Sequence, residues 1–235
     1  MPSTNFTMLV ANRPRLLKQA LDSVGDLSDA TVMIRDAGMN PDVFDVCSEW
    51  AIARDVKGIH YSLRTESLGT GTARNEVIQY AEKVWGRGTY LYLSDDDVFF
   101  KRSDWLKILI DTYEQAWKDG FRVIGAYNHP YHQPIGHYVY NAGIFVQEVY
   151  SLALQSMLMK WEVWDKYGPF KSTPAGAVCQ GEDVDFGNQI TEDGGKLGVI
   201  YPSLLVNCGL TNSFGQPIPG HDLVKAQVPA GVIAE

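Results

Sequence analysis

The sequence lacks a long apolar segment, has little cysteine, and carries no excess of basic residues. No run approaches the roughly 20 apolar residues that a membrane-spanning helix needs, and no basic segment leads into an apolar one near residue 1. We therefore expect no membrane span. The 20 basic residues against 28 acidic residues give a net charge of −8. This charge disfavours nucleic acid as a partner, because its binding usually needs a basic face.

The chain contains three cysteines, Cys47, Cys179 and Cys208, and their spacing is not that of a metal site. An odd number of cysteines without such spacing does not suggest a disulfide framework or a structural zinc site. We expect buried apolar thiols and a reducing, cytoplasmic location. A catalytic thiol stays open, although no base is paired with it.

The 235 residues are 45% hydrophobic and 20% charged, a composition typical of a globular domain. Strand-like runs at 7–11, 30–35, 59–63 and 89–93 alternate with helical patterns at 14–24 and 73–85. Asn12 is expected to cap the first of these helices, which Pro14 opens. This alternation predicts an α/β fold with a mostly parallel central sheet flanked by helices.

The second half of the sequence is less regular. Strands are predicted at 122–126, 138–147 and 197–201, with helices at 148–161 and 182–193. Residues 207–220 are rich in Asn, Gly, Pro and Ser and predict a long loop, which is often a functional lid. No repeat or low-complexity linker divides the chain, so we expect one domain over residues 1–235.

Three consecutive carboxylates, Asp95, Asp96 and Asp97, directly follow the predicted strand at 89–93. Adjacent carboxylates repel one another unless a cation or solvent absorbs their charge. They lie at the carboxyl end of a predicted parallel strand, where open α/β sheets place their ligands. Oxygen ligands of this kind suit Mg²⁺ or Mn²⁺. The alternative is a solvated acidic turn before a helix that begins near Ser103.

Several segments together resemble the inverting family 2 glycosyltransferases and their relatives of the glycosyltransferase-A fold. They are VANRP (10–14), RDAG (35–38), GTARN (71–75), YLSDDD (92–97), WDKYGPF (164–170) and GEDVDF (181–186). They occur in the family's order and span nearly the whole chain. The resemblance implies the glycosyltransferase-A fold, with a nucleotide-binding half over 1–100, an acceptor and catalytic half over 101–206, and a lid and tail over 207–235.

The resemblance implies that the first half binds the nucleotide of a sugar donor. Asn12 and Arg13 would lie beside the base and ribose, and Asp36 would accept a hydrogen bond from the base, commonly uracil. Arg74 would lie near the base or diphosphate, where the first turn of its helix would also favour an anion. The alternatives are a turn-forming role for Asp36 and a surface ion pair for Arg74.

By the same resemblance, Asp97 would be the main metal ligand, and Asp95 would contribute to the metal site and lie nearer the ribose. Ser94 stands where many relatives have the first aspartate, so the register is open and Asp96 is a further donor-binding candidate. His221 would complete the metal site when the 207–220 loop closes over the donor.

The resemblance implies that Asp183, in the Glu-Asp pair 182–183, is the catalytic base. A sugar hydroxyl is a poor nucleophile at neutral pH, so direct displacement requires a positioned carboxylate. The resemblance implies that Glu182 holds an acceptor hydroxyl, and Trp161 and Trp164 are candidate acceptor-binding aromatics. The alternatives are a helix-capping cluster around Asp183 and core packing for at least one tryptophan.

These features predict a hexosyltransferase-type enzyme that uses Mn²⁺ or Mg²⁺ to transfer sugar from a nucleotide-sugar, with UDP as the expected nucleotide. The acceptor is a hydroxyl of a glycan, a glycoside or a protein, and a modified DNA base stays open. Inversion is implied by the resemblance. Two alternatives are a sugar-nucleotide nucleotidyltransferase, which usually has a Gly-rich, basic loop after its first strand, and a non-catalytic metal-dependent carbohydrate-binding module.

Overall fold

The structure, a computed structural model, describes residues 3–10, 12–36, 40–54, 59–62, 69–127, 132, 134–141, 143–153, 155–172, 181–210 and 225–235, with the backbone alone for 59–62 and 141. The elements are β1 (Thr4–Val10), α1 (Pro14–Ser23), β2 (Ala30–Asp36), α2 (Pro41–Arg54), β3 (Ile59–Ser62), α3 (Thr70–Trp85), β4 (Tyr90–Asp95), β5 (Val98–Phe100), α4 (Trp105–Ala116), a 3₁₀ turn (Trp117–Asp119), β6 (Phe121–Gly125), β7 (Pro134–Asn141), β8 (Ile144–Val149), β9 (Ser156–Lys160), α5 (Trp161–Tyr167), α6 (Glu182–Glu192), β10 (Lys196–Tyr201) and β11 (Leu205–Asn207).

Nine of these strands form one sheet in the order β3-β2-β1-β4-β9-β6-β10-β8-β7. Strands β3, β2, β1 and β4 pair in parallel, as the first half of the sequence predicts. After β1, the chain adds β2 and then β3 on one side of that strand. It then returns and places β4 on the other side of β1. This reversal makes a crevice at the carboxyl ends of β1 and β4, where sheets of this kind bind ligands.

The sheet is covered on both faces, as the α/β prediction requires. Tyr90 and Tyr92 of β4 face a core that includes α1, α2 and α4. Leu91 and Leu93 face the opposite core, which includes α3, α5 and α6. Because successive strand residues point to opposite faces, the side chain of Asp95 lies on the same face as Leu93 and α3.

The second half of the sheet is mixed, and two sequence predictions there are wrong. The segment predicted as one strand at 138–147 is an antiparallel hairpin of β7 and β8, with Gly143 at a φ of +79° in the turn. The segment predicted as a helix at 148–161 contains β9, which pairs antiparallel with β4 and β6. Residues 156–159 are apolar or small and buried, and such short runs fit a central strand as well as a helix.

Pro14 opens α1 as predicted, but Asn12 does not cap it. The N-cap residue is Arg13, whose carbonyl oxygen accepts the N–H of Leu17 at 2.9 Å. Asn12 precedes it, exposed, with a φ of +57°, and no side chain caps this helix end. The cap prediction was wrong because Asn12 lies one residue too early to reach the first free amides.

The region after β4 is fixed by pairing between two short strands, β5 and β11. They pair antiparallel, and this pairing brings residues 207–210 beside Asp97. The described tail packs on α1, where the side-chain amide of Gln19 both donates to and accepts from the backbone of Ile233. In the described part of the chain, no helix combines the length and apolar character needed to cross a bilayer.

Trp105 provides a test of the core beneath the carboxyl edge of the sheet. It is fully buried, its ring centroid lies 4.4 Å from that of Phe100, and its indole N–H donates to the carbonyl of Val24 at 2.6 Å. We expect Trp105→Ala to lower the free energy of unfolding by about 3–5 kcal/mol, because it leaves a cavity. Urea denaturation measures this change. Exposed Ile52→Ala is the control, and a loss for Trp105→Ala no larger than the control's would contradict the packing.

Candidate active site

The acidic run lies at the carboxyl edge of the sheet, in the crevice between β1 and β4. Asp95 is the last residue of β4, and 22% of its side chain is exposed. Asp96 and Asp97 are 0% and 6% exposed. The alternative of a solvated acidic turn is therefore wrong. Buried carboxylates are costly unless they are paired, so their partners define the site.

Arg13 pairs with two of the three carboxylates. Its Nη2 donates to Asp96 Oδ1 at 2.6 Å, and its Nη1 donates to Asp97 Oδ2 at 2.8 Å. The side chain of Arg13 is 19% exposed. Burial alone would lower the pKa of Arg13, but the attraction of Asp97, Asp96 and Asp95 outweighs it and raises the pKa. The guanidinium therefore stays charged and neutralises part of the run.

Arg74 pairs with Asp95 from the opposite side of the crevice. It is 1% exposed, so the alternative of a surface ion pair is wrong. Since α3 begins at Thr70, Arg74 lies in the second turn, and the prediction that it sits in the first turn is corrected. Burial raises the pKa of Asp95 although Arg74 opposes the shift.

Asp97 retains an oxygen that is suited to a cation. Its Oδ1 is buried and, among the described residues, has no hydrogen-bond partner. Gly209 lies so close that a Cβ there would be 2.1 Å from Asp97 Oδ2. The N–H of Cys208 donates to the backbone carbonyl of Asp97 at 2.6 Å and fixes this approach. A divalent ion that prefers carboxylate oxygens fits this donor set.

Asp183 lies near the start of α6, after Gly181 with a φ of +81°. Burial raises the pKa of Asp183, Glu182 adds to the shift, and Arg74 opposes it. Arg74 therefore lies within electrostatic reach of both Asp183 and Asp95. Asp183 Oδ1 also accepts the N–H of the next residue, Val184, at 2.9 Å, but no side chain caps the start of α6, so this bond does not support the capping alternative.

A groove of about 380 Å³ runs along α6, with Glu182 but not Asp183 among its lining residues. Glu182 lies at one end, buried, and Phe170 and Phe186 provide apolar surface. Carboxylate and amide side chains with apolar faces can bind hydroxyl-rich ligands. The position of Glu182 is consistent with its predicted contact to an acceptor.

The sequence analysis did not identify the role of Asn75. Its side-chain amide donates to the carbonyl of Phe170 at 2.8 Å and accepts the N–H of the same residue at 2.9 Å. These two bonds fix the loop before α6 on α3, the helix that carries Arg74. The only sequence signal was its place beside Arg74 in the GTARN segment.

Asp36 and Asn12 lie at the carboxyl ends of β2 and β1. Asp36 is fully buried, and its Oδ2 accepts the N–H of Asn40 at 2.9 Å. This bond supports the turn-forming alternative for one of its oxygens. Asn12 is exposed. Their predicted contacts with base and ribose stay predictions.

The two tryptophans predicted at the acceptor lie in the core instead. Trp161 follows Lys160, which pairs with Tyr90 at the end of β4 farthest from Asp95. The indole N–H of Trp161 donates to Asn5 Oδ1 at 2.9 Å. Trp164 is buried against Phe170 and Phe186. Neither ring forms an open platform, so their acceptor assignment is corrected to core packing.

His221 and the loop at 211–224 lie outside the described residues, so the predicted lid and third metal ligand stay predictions. Among the residues that the structure describes, no group of three or more His, Cys, Asp or Glu side chains is arranged as a metal site. Of the predicted site, the structure thus brings together Arg13, Arg74 and the acidic run, and the start of α6 lies against the first turn of α3, where a Cβ at Gly71 would be 3.7 Å from Glu182 Cβ.

The sequence matches the family model described as glycosyl transferase family 2 over residues 7–171. The match covers more than half of the chain, which therefore belongs to this family, as the segment order suggested. A search of curated protein sequences found no match.

Solved structures show the same fold at low sequence identity. A mannosyltransferase of Pyrobaculum calidifontis in complex with GDP-Man and Mn²⁺ is 14% identical with a TM-score of 0.60, over 84% of this chain and 56% of that one. TarS residues 1–349 of S. aureus in complex with UDP is 15% identical with a TM-score of 0.61, over 84% and 57%. GalNAc-T7 with UDP, GalNAc and Mn²⁺ is 13% identical with a TM-score of 0.63, over 88% and 44%.

The solved structures confirm the predicted glycosyltransferase-A fold, and the family match confirms the predicted membership of glycosyl transferase family 2. The chain spans about half the length of the solved structures that it matches. The nucleotides, sugars and Mn²⁺ in those structures are ligands of those proteins.

Trp161→Phe tests the corrected role of this residue. The change removes a buried hydrogen bond and part of a packed ring, so we expect the free energy of unfolding to fall by about 1–3 kcal/mol. Urea denaturation measures the change. An exposed sugar-binding tryptophan would instead tolerate phenylalanine within about 0.5 kcal/mol, and that outcome would restore the acceptor prediction.

Proposed function

We propose that this protein transfers a sugar from a nucleoside-diphosphate-sugar to an acceptor hydroxyl, with inversion and with a divalent metal bound at the acidic run. One observation carries the proposal. Arg74 of α3 pairs with Asp95, and a Cβ at Gly71 of the same helix would lie 3.7 Å from Glu182 Cβ, so the acidic run and the start of α6, which carries Asp183, both border the first turns of α3. Membership of glycosyl transferase family 2 supports the same reaction class.

The donor would occupy the crevice between β1 and β4. Asn12 and Arg13 would border the base and ribose, and Asp36 would accept a hydrogen bond from the base. Arg74 would lie near the diphosphate, whose charge it is suited to bind. UDP is the expected nucleotide, and two of the similar structures carry UDP, although a third carries GDP-Man.

Asp97 would be the main metal ligand, with Asp95 and His221 completing the set. The unpartnered Oδ1 of Asp97 supports this assignment. The cofactor would be Mn²⁺ or Mg²⁺, and Mn²⁺ is present in two of the similar structures. Bound there, the ion would neutralise negative charge on the departing nucleoside diphosphate.

Asp183 would accept the proton of the acceptor hydroxyl. As the hydroxyl oxygen bonds to the anomeric carbon, the bond from that carbon to the phosphate oxygen breaks and the nucleoside diphosphate leaves. Attack from the face opposite the leaving group inverts the anomeric configuration. Glu182 would hold a hydroxyl of the acceptor in the adjacent groove.

The acceptor would be a glycan, a glycoside or a protein hydroxyl. Glu182, Asp185 and Glu192 make the groove along α6 more acidic than basic, since Lys171 is the only cation among those of its lining residues that the structure describes. An acidic groove disfavours a polyanion, and a modified DNA base is therefore the weaker candidate. The cytoplasmic location stays a prediction from the sequence.

A screen of UDP-, GDP-, TDP- and CDP-sugars for Mn²⁺-dependent hydrolysis tests the proposal. We expect hydrolysis of one donor class, and we expect Asp97→Asn to lower it by about 10²-fold or more, because charge stabilisation of the leaving group is lost. Asp104→Asn removes an exposed acid far from the crevice and is the control. Release of pyrophosphate from a nucleoside triphosphate and a sugar phosphate would instead identify a nucleotidyltransferase.

Asp183→Asn tests the base. We expect transfer to fall by about 10²- to 10⁴-fold while UDP binding, measured by calorimetry, is kept. Only the carboxylate can accept a proton, and the pKa of Asp183 is raised. The wild-type transfer rate should therefore begin to fall, as the pH decreases, at a higher pH than an ordinary carboxyl group with a pKa of about 3.9 would set.

The control for the base is Asp193→Asn, which neutralises an exposed carboxylate just after α6. Unchanged transfer and hydrolysis in Asp183→Asn would exclude catalysis by this residue, and no hydrolysis by the wild type would favour a binding module. Product analysis by NMR checks the stereochemistry, and retention of the donor's anomeric configuration would reject inversion.

A further inference from the structure

Arg13 binds the carboxylates of Asp96 and Asp97, and Asp97 is also the proposed main metal ligand. Its two terminal nitrogens bridge Asp96 Oδ1 and Asp97 Oδ2 at 2.6 Å and 2.8 Å. A planar guanidinium bound to two carboxylates in this way uses both of its outer nitrogens. The site is thus neutralised by a cation that belongs to the chain itself.

A guanidinium and a divalent ion on the carboxylate of Asp97 oppose each other. With Arg13 Nη1 on Oδ2 and the ion on Oδ1, the two cations would lie a few ångströms apart, where like charges repel by about 3 kcal/mol per pair of unit charges at 5 Å with an effective dielectric constant near 20. A Cβ at Gly209 would lie 3.2 Å from Arg13 Nη1 and 2.1 Å from Asp97 Oδ2. The backbone at Gly209 therefore lies directly against this ion pair.

Arg13 is placed so that its side chain can leave without unfolding an element. It is the N-cap of α1, with a non-helical φ of −122° and ψ of 67°. Part of its side chain reaches solvent, whereas Arg74 is almost completely buried. Its Nε is buried and, within the described chain, has no hydrogen-bond partner, so the ligand-free arrangement does not satisfy the whole guanidinium.

We propose that Arg13 is an internal counter-ion that a divalent metal displaces from Asp96 and Asp97, and that the displaced guanidinium then binds the diphosphate of the donor. The inference rests on the proposed function. It goes further by assigning Arg13 two successive partners, first the carboxylates of Asp96 and Asp97 and then the diphosphate, which replaces the base and ribose as its contact on the donor.

This exchange couples metal binding to nucleotide binding. Binding of a metal ion without nucleotide must break the two ion pairs of Arg13, and the guanidinium charge is then left without a partner. Metal together with a diphosphate supplies a new anion for the same guanidinium. By thermodynamic linkage, each ligand then strengthens the binding of the other by an equal factor.

Mn²⁺ alone is the probe for the first half of the exchange. We expect Arg13→Gln to bind Mn²⁺ at least about tenfold more tightly than the wild type in the absence of nucleotide, measured by electron paramagnetic resonance, because the competing cation is gone. Arg13→Lys keeps the charge without the two-pronged contact and should be intermediate. Arg102→Gln removes one exposed positive charge elsewhere and should match the wild type within about twofold.

Binding of UDP tests the second half of the exchange, which is the contact between Arg13 and the diphosphate. At saturating Mn²⁺ we expect Arg13→Gln to bind UDP about tenfold more weakly than the wild type, because a charge-assisted contact to the diphosphate is lost. The factor by which UDP tightens Mn²⁺ binding should be smaller in this variant. Thermal unfolding with and without Mn²⁺ gives a second readout, and the stabilisation by Mn²⁺ should be larger for Arg13→Gln than for the wild type.

Several outcomes would overturn the inference. Mn²⁺ binding by Arg13→Gln that is equal to or weaker than that of the wild type would show that Arg13 does not compete with metal. Unchanged UDP affinity would remove the diphosphate as its second partner. Failure of the proposed function is distinguishable, because the wild type would then hydrolyse no donor even with Mn²⁺, whatever the variants bind.

Discussion

Three consecutive carboxylates at one edge of the sheet need nearby positive charge, and this need is the constraint on which the site depends. Asp95, Asp96 and Asp97 are largely withdrawn from water, so each needs a nearby positive charge. Arg13 reaches them from the end of β1, and Arg74 reaches them from α3. Both arginines are held by elements that meet at the crevice, so their charge balance depends on the topology of the sheet.

This balance of charge also explains how a ligand can enter without leaving a buried charge unpaired. Arg13 and Arg74 supply the cations from within the chain, and in the proposed complex a metal and a diphosphate would arrive together with nearly balanced charge. Arg74 would remain beside Asp95 and would lie between the proposed donor position and the proposed base, Asp183.

The two halves of the central sheet differ in the direction of their strands. Strands β3, β2, β1 and β4 pair in parallel, and β9 inserts antiparallel between β4 and β6. The β5 and β11 pair brings Cys208 and Gly209 against Asp97. Similar architecture in glycosyltransferases at 13–15% identity shows that this layout tolerates wide sequence change.

The sequence by itself determined the α/β class, the parallel first half and the residues of the acidic run. Period-two strands, amphipathic helices and charged strand ends are local patterns, and local patterns are readable without a structure. Only the tertiary structure decided that β9 is a strand, that Trp161 and Trp164 are buried, and that Arg13 and Arg74 pair with the acidic run. These outcomes depend on contacts between residues far apart in the chain, because a short apolar run or a single arginine is compatible with several environments until its neighbours are fixed.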